Sequence, residues 1–191
     1  MSAVGAQMGF AFEAKGTLIP EWQALRVFRK HNWQKVKNIL RSRRSNTEVL
    51  FFDYEWVKPG DESSGVSLQT MAAFRLSRRT FPSFGVHPGV LLSCLPRRAG
   101  SPLDIVTFDS PNPDFGRHYV VEASRGDQAA IRQLFPAGVQ SSFAMLDTDH
   151  EWSIEGSGKW LVLYRLGRLT RPEAYVDFIN KATAIADMLG A

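Results

Sequence analysis

Residues 48–57, EVLFFDYEWV, place Leu50, Phe52, Tyr54 and Trp56 on one side of an extended chain and Phe51, Asp53 and Glu55 on the other. Successive side chains of a strand point to opposite faces, so this spacing predicts a half-buried β-strand. KPGDESSG at 58–65 is a turn by its Pro, Gly, Asp and Ser content. Beyond it, VSLQTMAAFRL alternates again through Val66, Leu68, Thr70, Ala72, Phe74 and Leu76. Two alternating runs around a turn predict a long antiparallel hairpin, which commits the chain to a sheet-based domain.

The remaining segments extend that sheet. DIVTF, HYVVEAS, EWSIE and KWLVLYRLG all have strand length and pattern. SRGDQAAIRQLF predicts a short helix, capped by Ser124 with Asp127 three residues on, and buried through Ala130, Ile131, Leu134 and Phe135. Four prolines and three glycines between Arg78 and Pro102 predict loops, a short strand and a helical turn near Val90 to Cys94. At the end, Thr170 and Glu173 have capping-box spacing around Pro172. The helix behind them buries Tyr175, Phe178, Ile179, Ala182, Ala186 and Leu189 and stops at Gly190. The expected fold is a single α+β domain: a mainly antiparallel sheet of about six to eight strands, a short internal helix, and a C-terminal helix packed on the sheet. Residues 1–19 read as a flexible lead and 20–191 as the domain, with a basic segment at 20–46 and the core at 47–190. Strands and helices do not alternate regularly, which disfavours a doubly wound parallel sheet.

With 44% hydrophobic residues the chain can build a real core, and its single cysteine, Cys94, excludes an internal disulfide or a multi-cysteine zinc site. No apolar run approaches the roughly 20 residues that span a bilayer. The first residues lack a basic region followed by an apolar core, so no signal peptide is expected. The expected location is cytoplasmic, with peripheral attachment to a membrane as its variant.

Charge is distributed unevenly. Residues 26–44 hold eight Lys or Arg and no acid, while the rest of the chain holds 15 basic against 19 acidic residues. From Pro20 to about Leu40 the apolar positions Trp22, Leu25, Phe28, Trp33, Val36 and Leu40 fall three and four apart, a helical or helix-plus-strand pattern, and RSRRSNT follows as a basic loop. Arg26, Arg29, Lys30, Lys35, Lys37, Arg41, Arg43 and Arg44, interleaved with aromatics, are the candidate contact residues for an anionic partner. A solvated helix face would carry the same charges. A protein or an anionic membrane surface suits this pattern better than nucleic acid, for which no RNP-type aromatic set and no Cys/His finger is present.

No motif carries a recognisable chemistry. Gly156-Ser-Gly-Lys159 suggests a phosphate loop, but a Walker A motif requires glycine where Ser153 stands, Ser or Thr where Trp160 stands, and a helix where a strand follows. It reads instead as a hairpin turn. His31, His87, His118 and His150 lack metal-ligand spacing. Cys94 has no identifiable activating base, and no serine occupies a nucleophile elbow. Asp53 and Glu55 share a strand face, where pairing with a residue such as Arg75 competes with acid–base work. No catalytic residue, metal ligand or cofactor is expected.

The block order FDYEW, SLQTMAAFRL, FPSFGVHP, DIVTFDSPNPDFGRHYVVEA, AIRQLF and EWSIEGSGKWLVLYRLG, over residues 48–190, resembles a group of uncharacterised bacterial proteins with no assigned activity. Some of that group look membrane-tethered through N-terminal segments, and no such segment is expected from these residues. The resemblance implies structural roles: aromatics in the core, Gly156 and Gly158 in the turn, Glu155 with a cross-strand partner. Two functions follow from the whole reading. One is a non-catalytic interaction or regulatory module with a basic N-terminal contact surface. The other is a small-ligand binder or enzyme using a pocket between the sheet and the C-terminal helix. Convergence of His87, His118, Asp53 and Asp104 in one cleft would favour the second.

Overall fold

The computed structural model describes residues 2–28, 33–44, 46–57, 66–89, 103–109, 112–147, 151–165 and 167–191. Among them nine strands form one antiparallel sheet: β1 (Ala11–Gly16), β2 (Trp33–Arg44), β3 (Thr47–Val57), β4 (Ser67–Leu76), β5 (Phe81–Pro88), β6 (Leu103–Ile105), β7 (Tyr119–Ser124), β8 (Ser153–Gly158) and β9 (Trp160–Tyr164). Their order is β1-β2-β3-β4-β9-β8-β5-β7-β6. Five helices accompany them: α1 (Ser2–Met8), α2 (Pro113–His118), α3 (Gln128–Leu134), α4 (Ala137–Leu146) and α5 (Pro172–Met188). The α+β class and the packed C-terminal helix agree with the sequence, and the strand count is one above the expected range. The turn at 58–65, the helical turn near Val90 to Cys94, Arg29, Lys30, His31 and His150 lie outside the described residues.

The β3–β4 hairpin pairs Thr47 with Leu76 at one end and Trp56 with Ser67 at the other. Its β3 strand is not half-buried as the alternation predicts; every residue from Val49 to Glu55 is buried. Both faces of the sheet are covered, so the polar-looking side of β3 also lies inside. On one face, α5 and its neighbours seat Phe178, Ile179, Ala182 and Ile185 over Phe51, Ala72 and Leu163. On the other, residues 20–28 form a strap of two 3-10 turns, Pro20–Ala24 and Arg26–Phe28. Trp22 stacks on both Phe28 and Phe52 and meets Trp160 edge-on. Aromatic stacking of this kind adds about 1 kcal/mol per pair to the area buried.

The helical spacing from Pro20 to Leu40 therefore resolves into two short turns and a long strand. Asn38 in β2 has φ +51°, and the register to β3 shifts between Lys37 and Leu40. One extra residue in a bulge breaks the two-residue period. Val36, Ile39 and Leu40 are consequently buried at intervals of three and four, the spacing a helix would show.

Residues 1–19, expected as a flexible lead, contain α1 and the edge strand β1. Val4 is buried and Phe10 packs edge-on against Phe51. The expected capping box is also replaced: Arg171 is the N-cap of α5, with no side-chain cap bond, and Pro172 sets the first turn. The Gly156–Lys159 segment forms the β8–β9 hairpin as expected, with Ser157 opposite Trp160. Its glycines serve different ends. Gly158 supplies a φ of +57°, whereas a Cβ at Gly156 would come within 2.1 Å of the Phe84 ring.

Candidate functional site

Two of the four buried carboxylates among the described residues, Asp53 and Glu155, fasten covering segments, one on each face of the sheet. Asp53, only 1% exposed, lies on the helix face. It accepts hydrogen bonds from Asn38 Nδ2 at 2.8 Å, Thr70 Oγ1 at 3.0 Å and Arg168 Nε at 3.1 Å. The Tyr175 hydroxyl lies 3.1 Å from the same carboxylate and 2.8 Å from the Leu169 carbonyl. The bulge at Asn38 turns its amide toward Asp53, β4 supplies the Thr70 hydroxyl, and Arg168 and Tyr175 come from the segment entering α5 and from its first turn. Burial and the Asp53 charge both hold the Tyr175 phenol above its ordinary pKa. Asp53 is thus a clamp between β2, β3, β4 and the C-terminal helix, and its cross-strand partner is not Arg75, which stands opposite Glu48.

Glu155 occupies the strap face and is 3% exposed. It accepts the backbone N–H groups of Arg26 at 2.5 Å and Val27 at 3.2 Å, and the Tyr164 hydroxyl at 2.8 Å. Arg26 reaches on to pair with Glu122. Registers place Glu155, Gly85 and Glu122 in one row across β8, β5 and β7. His87, two residues along β5, lies over Gly85, where a Cβ would approach its Nε2 to 2.7 Å. That nitrogen is buried and has no hydrogen-bond partner among the described residues. Burial lowers the His87 pKa, Glu155 raises it and Arg26 lowers it again, the net direction being down. Tyr164 is pushed well above its ordinary value, first by burial and then by Glu155. The arrangement fastens the strap to the sheet.

The four groups whose convergence would mark a catalytic cleft are dispersed. Asp53 and His87 lie on opposite faces, Asp104 pairs with Arg125 beside an edge, and His118 closes α2. Beneath α5 the interior is filled, with Phe178 stacked on Trp152 and edge-on to Phe51. A shallow depression of about 260 Å³ lies elsewhere, between Arg79–Pro82 and residues Ala130, Gln133 and Leu134 of α3. No group of three metal-ligating side chains occurs among the described residues, and none of the described helices is long and apolar enough to cross a membrane.

The basic residues of 26–44 are spread over two faces and both ends of β2. Arg26 pairs with Glu122, Lys37 with Glu55 at 2.6 Å, and Arg41 with Glu13 and Glu48. Lys35 is exposed, with its Nζ 4.5 Å from the centre of the Trp33 ring. Arg43 and Arg44 are exposed and form no ion pair among the described residues. Arg43 stands opposite Glu48, which stands opposite Arg75, which stands opposite Trp160. The exposed Arg75 lies over the Trp160 ring, and Leu76 donates its N–H to the carbonyl of exposed Lys159. One end of the sheet thereby gathers Arg43, Arg44, Arg75 and Lys159 from three separate stretches of chain. Arg75 and Lys159 were not candidates from sequence, because only the β2-β3-β4-β9 order makes them neighbours of Arg43.

No protein-family model and no curated protein matches the chain, so the block pattern stands as a resemblance. Among solved structures, the chain is similar to the crystal structure of the mycobacterial trehalose monomycolate transport factor A, TtfA. The match has a TM-score of 0.66 at 13% identity and covers 99% of this chain and 92% of that one. At that identity the likeness shows a shared fold.

Proposed function

We propose that the protein is a non-catalytic interaction module that docks an anionic partner on the end of the sheet bearing Arg43, Arg44, Arg75 and Lys159. The carrying observation is the register that sets Arg43, Arg75 and the Lys159 turn side by side, while the intervening Glu48 is engaged by Arg41. Neighbouring strands lie about 4.8 Å apart, so this end offers a cationic strip roughly 15 Å across. Of the described candidate cations, Arg26, Lys37 and Arg41 hold carboxylates of this chain and Lys35 lies over Trp33 at the opposite end of β2, which leaves Arg43 and Arg44 as the contact residues at this end. The fold neighbour is named as a transport factor, which accords with a carrying or docking role rather than catalysis.

The test uses the variant Arg43→Glu/Arg44→Glu/Lys159→Glu beside a charge-matched control, Arg117→Glu/Arg125→Glu/Arg171→Glu. Retention on an immobilised sulfated polymer should fall sharply for the first variant and only slightly for the control, and rising salt should erase the difference. Equal losses for the two variants would refute a localised docking surface.

A further inference from the structure

The opposite end of the same three strands carries a different surface. Registers put Trp33 beside Val57 in one row and Lys35, Glu55 and Leu68 in the next, all on the helix face, with Val66 just beyond. Tyr175 near the start of α5 reaches the Asp53 row, so these rows lie past the cover that the helix provides. Trp33 and Leu68 are each 37% exposed and Val66 is 50% exposed. Lys35 sits over the Trp33 ring, and Glu55, the acid in this patch, is held by Lys37. Lys35 and Lys37 against Glu55 leave the described residues of this end net positive.

Here we propose that this end of the β2-β3-β4 ribbon is a docking surface for an anionic lipid bilayer. Trp33, Leu68 and Val66 enter the headgroup region while Lys35 meets lipid phosphate. Indole rings favour the membrane–water boundary, because one edge is apolar and the N–H remains hydrogen-bonded to the wet side. A lysine stacked on that indole brings its charge to the same depth, and each cation near an anionic surface adds about 1 kcal/mol of attraction. A few inserted side chains with one or two cations give weak, reversible attachment, the regime of peripheral proteins. The proposal rests on the reading of the protein as an interaction module but not on its arginine end, roughly 25 Å away along β2.

The experiment measures partitioning by co-sedimentation with vesicles for every variant, and quenching of protein tryptophan fluorescence by brominated lipid wherever Trp33 is present. Compositions are equal parts phosphatidylcholine and phosphatidylglycerol, or phosphatidylcholine alone. Wild type, Trp33→Ser/Leu68→Ser and the arginine-end triple variant are compared, with far-UV circular dichroism confirming that each is folded. The expected results are quenching on anionic vesicles only, retained by the arginine-end variant, and a loss of vesicle partitioning on the order of tenfold for Trp33→Ser/Leu68→Ser. Unchanged partitioning for Trp33→Ser/Leu68→Ser with loss in the arginine-end variant would overturn this surface and leave the proposed function standing. No quenching on either composition would overturn the bilayer as occupant. Equal quenching on both would overturn the requirement for anionic lipid.

Discussion

Asp53 and Glu155 are both almost fully buried, and each fastens a covering element to one face of the sheet, yet they are satisfied differently. Asp53 receives side-chain donors, including the guanidinium of Arg168, from strands and from the entry to α5. Glu155 receives two backbone N–H groups of the strap and one hydroxyl, while its neighbour His87 keeps an unpartnered nitrogen. The helix clamp is cross-braced through several elements. The strap clamp depends on Glu155, the Arg26–Glu122 pair and aromatic packing. The donors that Glu155 draws from a covering element come from one short segment, so the strap should be the weaker of the two covers.

Substitutions that separate the two covers order themselves by size. Trp22→Ala removes the ring packed among Phe28, Phe52 and Trp160 and should cost about 4 kcal/mol in denaturant unfolding. Asp53→Ala takes the acceptor from the Thr70 hydroxyl and the Asn38 amide and should cost about 3 kcal/mol, moderated because Arg168 can still reach water. Glu155→Gln keeps the shape but loses charge-assisted bonds and should cost about 2 kcal/mol. Hydrogen exchange sharpens the contrast. Glu155→Gln should speed exchange in residues 20–28 and spare α5, and Asp53→Ala should loosen the start of α5 and spare the strap. Parallel loosening of both segments in either variant would break the two-clamp account.

A smaller effect follows from His87. Burial lowers its pKa in the folded chain below the ordinary value of 6.5, so the unfolded chain binds the additional proton first as pH falls. Stability should therefore be full above that value and decline as pH drops below it, a slope that His87→Gln should flatten. Urea unfolding at pH 7.5 and at pH 5.5 checks the sign; a wild type more stable at the lower pH, with the difference removed by His87→Gln, would reverse it.

Much of this architecture is legible from pattern. The β3–β4 hairpin, the β8–β9 turn and the buried stripe of α5 follow from alternation, glycine placement and helical spacing. Two features escape for identifiable reasons. The bulge at Asn38 converts a strand's period into intervals of three and four, so β2 looks helical. The strap covers one face of β3 and α5 with its entry segment covers the other, so Asp53, which local alternation marks as half-exposed, becomes an interior clamp under the helix. The cationic end is hidden for a third reason. Arg43, Arg75 and Lys159 are far apart in sequence, and only the strand order unites them, while the visible basic run is divided among internal ion pairs and separate ends.

The central claim is that basicity acts at one end of the sheet, and salt-dependent retention on a sulfated polymer tests it most directly. Wild type and Arg117→Glu/Arg125→Glu/Arg171→Glu should elute close together at high salt, with Arg43→Glu/Arg44→Glu/Lys159→Glu leaving the column well before them. Coincident elution of the two triple variants would show that net charge alone governs binding and would contradict the account.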